Sequence, residues 1–306
     1  MITLVGSFIA DLTARTPRMP VPGETVLGKS FTLGPGGKGS NQAAAAARCG
    51  SKVNLVTKLG DDEFGALALN CFKADGINFE YTLITKDHPT GTALILVDDS
   101  GENMIVVTLG ACGTISREEV FAAENIIKQS SLVMTQLETS IESVVAAIEL
   151  ANKHGIPVIF NPAPYNADYP REILPMVNYI TPNEIEAGHM TGCKITNEKS
   201  VVSAAGKIKQ MGAGTVIITL GERGCLIYEN ENDYSFVQAF KVDAVDTTGA
   251  GDAFNGGLAH AIEKGMNLKD AVRYASAVAA ISVTRFGAST AMPQSCEVDE
   301  FLRIRG

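Results

Sequence analysis

The sequence predicts an α/β fold, a mostly parallel Rossmann-like sheet flanked by helices, with a small β-sheet standing off it as a lid. Three observations carry that expectation. Helical and strand-like apolar patterns alternate along most of the chain, as they do where crossover helices join parallel strands. One segment, 90–108, breaks the alternation with two strand-like runs joined by a turn. At 306 residues and 45% hydrophobic content the chain can bury the large core such a sheet needs.

The elements follow in order. A strand over 2–6 precedes an irregular, Pro-containing region to about 35, then helix 39–49, strand 52–58 and helix 61–75. Within 90–108, Thr92-Ala93-Leu94-Ile95-Leu96-Val97 and Met104-Ile105-Val106-Val107 flank the turn-rich Asp98–Asn103, a β-hairpin whose companions are extended pieces within 11–35. Helix 116–128 opens on the capping pair Ser116 and Glu119, and strand 132–137 leads to helix 140–153, closed by Gly155. Strands 157–161 and 177–181, helices 183–191 and 198–211, and strand 215–220 continue the pattern. Strands near 225–229 and 234–245 precede two long helices, about 252–264 and 268–284. The expected division is therefore a main domain of 1–10, 36–89 and 109–306, with a lid of 11–35 and 90–108. A lid over a reactive phosphate would exclude water from it.

Composition narrows the partners. The formal charge of −9 carries no block of like charges, which argues against nucleic acid and anionic membrane and for a small ligand. No apolar stretch approaches membrane-spanning length and no basic leader precedes the first strand, so a cytoplasmic protein is expected. Six cysteines (49, 71, 112, 193, 225, 296) show no C-x-x-C pair, and the four histidines are isolated, so neither disulfides nor a zinc site is indicated.

The most informative segment is Asp246-Thr247-Thr248-Gly249-Ala250-Gly251-Asp252, between the alternating run Phe240–Val245 and a helix. A helix N-terminus there offers unpaired N–H donors and a partial positive charge to an anion, and Asp252 in the first turn can take a proton from an attacking hydroxyl. The same residues also suit a plain turn with Asp252 as a cap. Gly34-Pro35-Gly36-Gly37-Lys38-Gly39 matches a dinucleotide-binding fingerprint by letters. It lies about thirty residues after the first strand, however, and the next strand ends in Lys58 where an acidic residue belongs. It fails as a phosphate-binding P-loop because Gly39 follows Lys38. A glycine loop letting backbone approach a hydroxylated ligand, with Lys38 and Asn41 as contacts, stays open beside a tightly packed helix start. Asn183 and Glu186 share a face at a helix start, either as a cap or directed at phosphate and, through water, at magnesium. The turn Thr219-Leu220-Gly221-Glu222-Arg223-Gly224 ends a buried strand where a nucleotide edge could rest.

Taken together, Gly36-Gly37-Lys38-Gly39 with Asn41-Gln42, Asn161-Pro162-Ala163-Pro164, Thr181-Pro182-Asn183-Glu184, Thr219-Leu220-Gly221 and Asp246–Asp252 resemble the ribokinase family of carbohydrate kinases, from the first strand to Pro293. The resemblance implies ATP-dependent phosphorylation of the terminal hydroxyl of a pentose, ribose first and 2-deoxyribose next. Asp252 would be the base, and the N–H groups of Gly249, Ala250 and Gly251 the anion hole. It implies sugar contacts from Asp11, Gly37, Lys38, Asn41 and Glu138, with Ala93, Ile95 and Val107 as apolar lid wall. ATP would lie along Asn183, the Thr219–Gly224 turn, Gly251 and Ser276, with Mg2+ approached through Glu186. A potassium ion would sit by Asp246, Thr248, Ser282, Arg285, Gly287 and Ala291, bound mostly by carbonyls. An apolar lid face further suggests a homodimer.

Three departures bear on specificity. Ile9 stands where family members often carry Asn, Ser276 where Asn or His is common near adenine, and Ala291 where Ser is common by the cation. An apolar Ile9 has no amide to leave unsatisfied, so it discriminates less against a deoxy sugar. A non-catalytic sugar-binding protein on the same fold is the remaining alternative; an intact Asp252 beside intact Gly249-Ala250-Gly251 speaks against it.

Overall fold

The computed structural model describes residues 1–305. Its main sheet has nine strands in the order β13-β12-β11-β10-β9-β8-β1-β4-β5. These are β1 (Ile2–Val5), β4 (Val53–Gly60), β5 (Thr82–Thr85), β8 (Leu132–Gln136), β9 (Val158–Asn161), β10 (Tyr179–Ile180), β11 (Thr215–Thr219), β12 (Cys225–Asn230) and β13 (Asp233–Val237). Pairing is parallel from β5 to β11, and the last two strands at the other end, β12 and the edge strand β13, pair antiparallel. Both faces are covered, so β1, β8 and β9 are buried at every position.

A second sheet of four strands, ordered β3-β2-β6-β7, comprises β2 (Ile9–Arg15), β3 (Ser30–Gly36), β6 (Gly91–Val97) and β7 (Asn103–Thr108). Its strands come from 9–36 and 91–108, where extended companions to the hairpin were expected. One row across it reads Gly34, Asp11, Ala93, Val107, and the next row reads Leu33, Leu12, Leu94, Val106. Successive side chains of a strand point to opposite faces, so Asp11, Ala93, Val107 and Ile95 share one face and the leucine row takes the other.

Helices flank the main sheet: α1 (Lys38–Arg48), α2 (Glu63–Ala74), α3 (Arg117–Ala122), α4 (Glu124–Ile127), α5 (Ile141–Lys153), α6 (Glu184–Thr191), α7 (Glu198–Gln210), α8 (Ala250–Glu263), α9 (Leu268–Ser282) and α10 (Ser295–Arg305). Most expected starts have a visible cause. Ser116, Ser140, Asn183, Asn197 and Asn267 each accept a first-turn N–H at their helix entrance. α1, α8 and α9 pack closely through small residues. A Cβ on Gly256 would lie 2.5 Å from the Cβ of Ala45, and one on Gly257 would lie 2.9 Å from Val278, so glycine sets both distances. None of the described helices is long and apolar enough to cross a membrane.

The structure corrects four expectations. The run 240–245 is not a strand, for β13 ends at Val237. Val245 and Asp246 instead donate to the Val283 carbonyl, Arg305 donates to the Lys241 carbonyl, and Phe240 meets Phe301 edge-on, so the run is tied to α9 and α10 with no strand beside it. Helix 116–128 is interrupted at Ala123, and the strand expected over 177–181 pairs only at Tyr179–Ile180. The glycine-rich helix begins at Ala250, before Asp252. β5 and α10 were not anticipated.

Candidate active site

The carboxyl ends of β1, β8, β9, β10 and β11 converge on the start of α8, the crevice where an open parallel sheet places its ligands. Asp252 lies in the first turn of α8 and is only 5% exposed. Its Oδ2 accepts from Asn41 Nδ2 at 3.0 Å and its Oδ1 from Gln42 Nε2 at 3.0 Å. Both donors come from α1, which the Ala45–Gly256 contact holds against α8. Asn41 is itself buried, and its Oδ1 has no partner among the described residues. It is an acceptor waiting for a donor.

Gly249 takes a left-handed backbone, φ +75°, and supplies the N-cap position with no side chain. Of the three expected anion donors, the Ala250 N–H is turned to Thr247 O at 3.2 Å. Among the described residues no acceptor meets the N–H of Gly249, Gly251 or Asp252. A Cβ built on Gly251 meets nothing within 4 Å, so the space above this end of α8 is open. Open donors at the positive end of a helix form an anion seat, here beside a buried carboxylate.

The glycine loop shows why it needs its glycines. Gly37 has φ +89°, and a Cβ there would lie 2.6 Å from the Ile9 nitrogen; a Cβ on Gly39 would lie 2.5 Å from the Ser7 nitrogen. A Cβ on Gly36 would collide with the Asp11 carboxylate. The loop thus packs on the β1–β2 connection and makes room for Asp11. Burial, then the charges of Glu138 and Asp252, push the Asp11 carboxyl up to about 7. Glu138, 8% exposed, accepts from Ser7 Oγ at 2.5 Å and from the Lys38 N–H at 2.7 Å, yet burial keeps its carboxyl above the ordinary range. Asp252 first, with Glu138 and Glu186 behind it, holds the Lys38 ammonium more firmly protonated than usual against its burial. Asp11, Lys38, Asn41, Glu138 and Asp252 are therefore one electrostatic cluster, with Ala93, Ile95 and Val107 on the sheet face that carries Asp11.

Of the expected nucleotide residues, Asn183, Glu186 and the Thr219–Gly224 turn lie together. Asn183 and Glu186 form a reciprocal capping box at the start of α6, both bonds 2.8 Å, and burial raises the Glu186 carboxyl. Asn183 bridges to Thr219, which puts the Thr219–Gly224 turn beside the cap. Gly224 is buried under β13 with φ +87°, while Gly221, Glu222 and Arg223 are exposed and Arg223 pairs with Glu184. Ser276 gives its hydroxyl to the Val272 carbonyl of its own helix at 2.8 Å. Of the residues expected around potassium, Asp246, Thr248 and Gly287 meet. Asp246 accepts from the Thr248 N–H at 2.9 Å and the Gly287 N–H at 3.0 Å. Burial alone would raise the Asp246 carboxyl, but the Gly287 N–H and the Thr248 hydroxyl and N–H outweigh it and hold it below the usual range. Arg285 is turned away to Glu297, Ser282 Oγ to the Ala279 carbonyl, and Ala291 closes a 3-10 turn.

A match to the model of pfkB family carbohydrate kinases runs over residues 1–295. The chain belongs to the pfkB family of carbohydrate kinases. It is 39% identical to a ribokinase of Haemophilus influenzae over 301 residues, 98% of each chain. It is 36% identical to a deoxyribokinase of Salmonella typhi over 303 residues, 99% of each. The solved structure of Arabidopsis thaliana ribokinase complexed with ribose and ATP superposes with a TM-score of 0.91 at 28% identity, covering 99% of this chain and 98% of that one. A pfkB-family chain is a sugar kinase, and the open helix end and buried carboxylate at α8 are the parts such chemistry needs.

Sequence reasoning quoted Gln42, Asn161 and Thr181 among the family motifs without a role, and missed Gln136 and Asn255, the polar residues that join them beneath this pfkB site. Gln42, Gln136, Asn161, Thr181 and Asn255 are all buried and bonded to one another. Gln136 and Asn161 end their strands, Thr181 lies one residue beyond its strand, and Gln42 and Asn255 lie inside helices, positions where periodicity alone reads only core. The available signal was polar side chains at the carboxyl ends of mostly apolar strands.

Proposed function

We propose that this chain is a ribokinase, transferring the γ-phosphoryl group of ATP to O5 of D-ribose to give D-ribose 5-phosphate and ADP. The observation that supports it is the buried Asp252 carboxylate, fixed by Asn41 and Gln42, next to the Gly249, Gly251 and Asp252 N–H groups at the start of α8, which meet no acceptor among the described residues. O5 attacks phosphorus as its proton passes to Asp252, and the bond from the γ-phosphorus to the bridging oxygen breaks as ADP leaves. The N–H groups of Gly249, Ala250 and Gly251, with that of Asp252, receive the charge on the transferring group. Ala250 leaves its weak turn bond to Thr247 to do so.

Asp11, Lys38, Asn41 and Glu138 hold the sugar hydroxyls, and the unpartnered Asn41 Oδ1 takes one donor. Gly37 joins these sugar contacts through its backbone, and Ala93, Ile95 and Val107 close over the sugar as the lid. ATP lies along Asn183, the Thr219–Gly224 turn and Ser276. Glu186 would approach Mg2+ through water, and the ion would supply charge neutralisation on the phosphates. The loops at Asp246 and 282–291 offer a single ionised carboxylate among backbone carbonyls, a donor set suited to potassium, which adds positive potential beside the anion seat. The protein is read as cytoplasmic and dimeric through the lid.

One observation favours a second acceptor. Ile9 is 2% exposed on the same face of β2 as Asp11 and can donate to no sugar hydroxyl, so 2-deoxyribose loses little there. ADP release with MgATP on ribose, 2-deoxyribose and fructose, with and without potassium, decides. Ribose turnover that rises with potassium is expected, and Asp252→Asn should lose about 10²- to 10⁴-fold in kcat. A clear preference for 2-deoxyribose would transfer the assignment to that sugar. ATP binding without turnover of any acceptor would favour a non-catalytic protein.

A further inference from the structure

Beneath the proposed base runs a connected circuit of buried amides and one hydroxyl, contributed by α1, β8, β9, the end of β10 and α8. Gln136 Nε2 donates to Gln42 Oε1 at 2.7 Å. The Gln42 amide nitrogen then uses both its hydrogens, one on Asp252 Oδ1 at 3.0 Å and one on Asn161 Oδ1 at 3.2 Å. Asn161 Nδ2 donates to the Thr181 carbonyl at 2.8 Å, the Thr181 hydroxyl to Asn255 Oδ1 at 2.6 Å, and Asn255 Nδ2 to the Gly251 carbonyl at 2.8 Å. Gln42 is wholly buried, and Gln136, Asn161, Thr181 and Asn255 are each at most 6% exposed.

The direction of these bonds matters more than their number. Gln42 and Asn161 each accept at the amide oxygen and donate at the amide nitrogen, so each bond from Gln136 to Asn161 polarises the next, and Asn255 relays the Thr181 hydroxyl to Gly251 in the same way; Thr181 joins the two runs by position, accepting at its carbonyl and donating from its hydroxyl. The circuit has two outlets. One is the carboxylate of Asp252. The other is the carbonyl of Gly251, which belongs to the peptide whose N–H is that of Asp252, an unpaired donor at the anion seat. A peptide whose carbonyl accepts a bond is a better donor at its nitrogen. One network therefore orients both the group that receives the proton and a group that faces the transferred phosphoryl.

We propose that Gln42 and, through Asn255, Thr181 are positioning residues for phosphoryl transfer, Gln42 fixing the Asp252 carboxylate and Thr181 the peptide donor beside it. This rests on the reading of Asp252 as the base. Neither side chain touches sugar or nucleotide in it, so their loss should appear in kcat and in its pH dependence and leave KM for ATP nearly unchanged. Gln42→Glu keeps the shape and places a second carboxyl against Asp252. A like charge at hydrogen-bonding distance disfavours ionisation.

The test measures kcat, KM for ATP and melting temperature from pH 5 to 9, with D-ribose, MgATP and potassium, for Asp252→Asn, Gln42→Glu, Thr181→Val and Thr181→Ser. Expected are an Asp252→Asn down about 10²- to 10⁴-fold in kcat and a Gln42→Glu enzyme whose acidic limb moves up by about one pH unit, with kcat at pH 7 down about tenfold or more. Thr181→Val should lose about five- to thirtyfold in kcat, and Thr181→Ser, which keeps the hydroxyl, should regain most of it. A fully active Asp252→Asn would remove the base reading and this inference with it. An impaired Asp252→Asn beside a Gln42→Glu of unshifted pH profile would overturn the positioning role alone. Should Gln42→Glu not fold, a Thr181→Val with wild-type kcat would do the same.

Discussion

Burial and the Glu138 and Asp252 charges push the Asp11 carboxyl up to about 7, so near neutrality it is partly protonated in the folded chain and fully ionised in the unfolded one. The folded state then binds more protons between the ordinary carboxylate value and about 7, and stability falls as pH rises through that window, by up to about 1.4 kcal/mol per pH unit for one group. His260 acts the other way, because burial lowers its pKa and the folded chain keeps it neutral. The comparison that isolates Asp11 is therefore the melting temperature of Asp11→Asn minus that of wild type. This difference should grow in the variant's favour from pH 4.5 to 7 and level off above. A difference independent of pH would show that the Asp11 carboxyl titrates normally. The same variant should bind sugar less well, since stability and function draw on this residue in opposite directions.

The pairing of α1 with α8 decides whether the residue-scale chemistry can occur. Asn41 and Gln42 reach Asp252 only because Ala45 and Gly256 let two backbones approach. Gly256→Ala would wedge a methyl group into that contact, at a cost of about 1–3 kcal/mol, while removing a helix glycine returns up to about 1 kcal/mol. We expect a lower melting temperature together with a loss of kcat larger than that of a surface glycine change such as Gly265→Ala in the same assay. Retention of full turnover would separate helix spacing from the base. Much at this scale was legible in the sequence, because caps such as Ser116, Ser140 and Asn267, and runs such as 132–136, declare themselves locally. Phe240–Val245 misled because its alternation is not matched by burial: Val245 is 49% exposed, and the run hangs from α9 instead of from a strand. The amide circuit was invisible for a different reason. Its members are far apart in the chain, and nothing local tells a buried glutamine with a partner from an exposed one without.

The whole molecule presents two sheets of unlike character. The main sheet is covered on both faces, whereas the smaller one carries Asp11 on one face and Phe31, Leu33, Leu94, Met104 and Val106 on the other, between 47% and 63% exposed. A contiguous apolar face of this kind on a soluble chain is normally covered by a partner, and a twofold pairing of two such faces covers both at once. Light scattering at micromolar concentration should give a dimer, and Leu94→Asp should give a monomer with weakened sugar binding; a wild-type monomer would leave the lid free on its outer side. The amide circuit has one more consequence, for the chain as it is made. Gln42 emerges 210 residues ahead of the carboxylate it serves. Until α8 has been synthesised, its second donor faces no acceptor, and the Thr181 hydroxyl waits likewise for Asn255. A product cut short before α8 thus carries unsatisfied polar groups where its core should be closed, and quality control meets an unfinished polypeptide, not a folded protein that merely lacks activity.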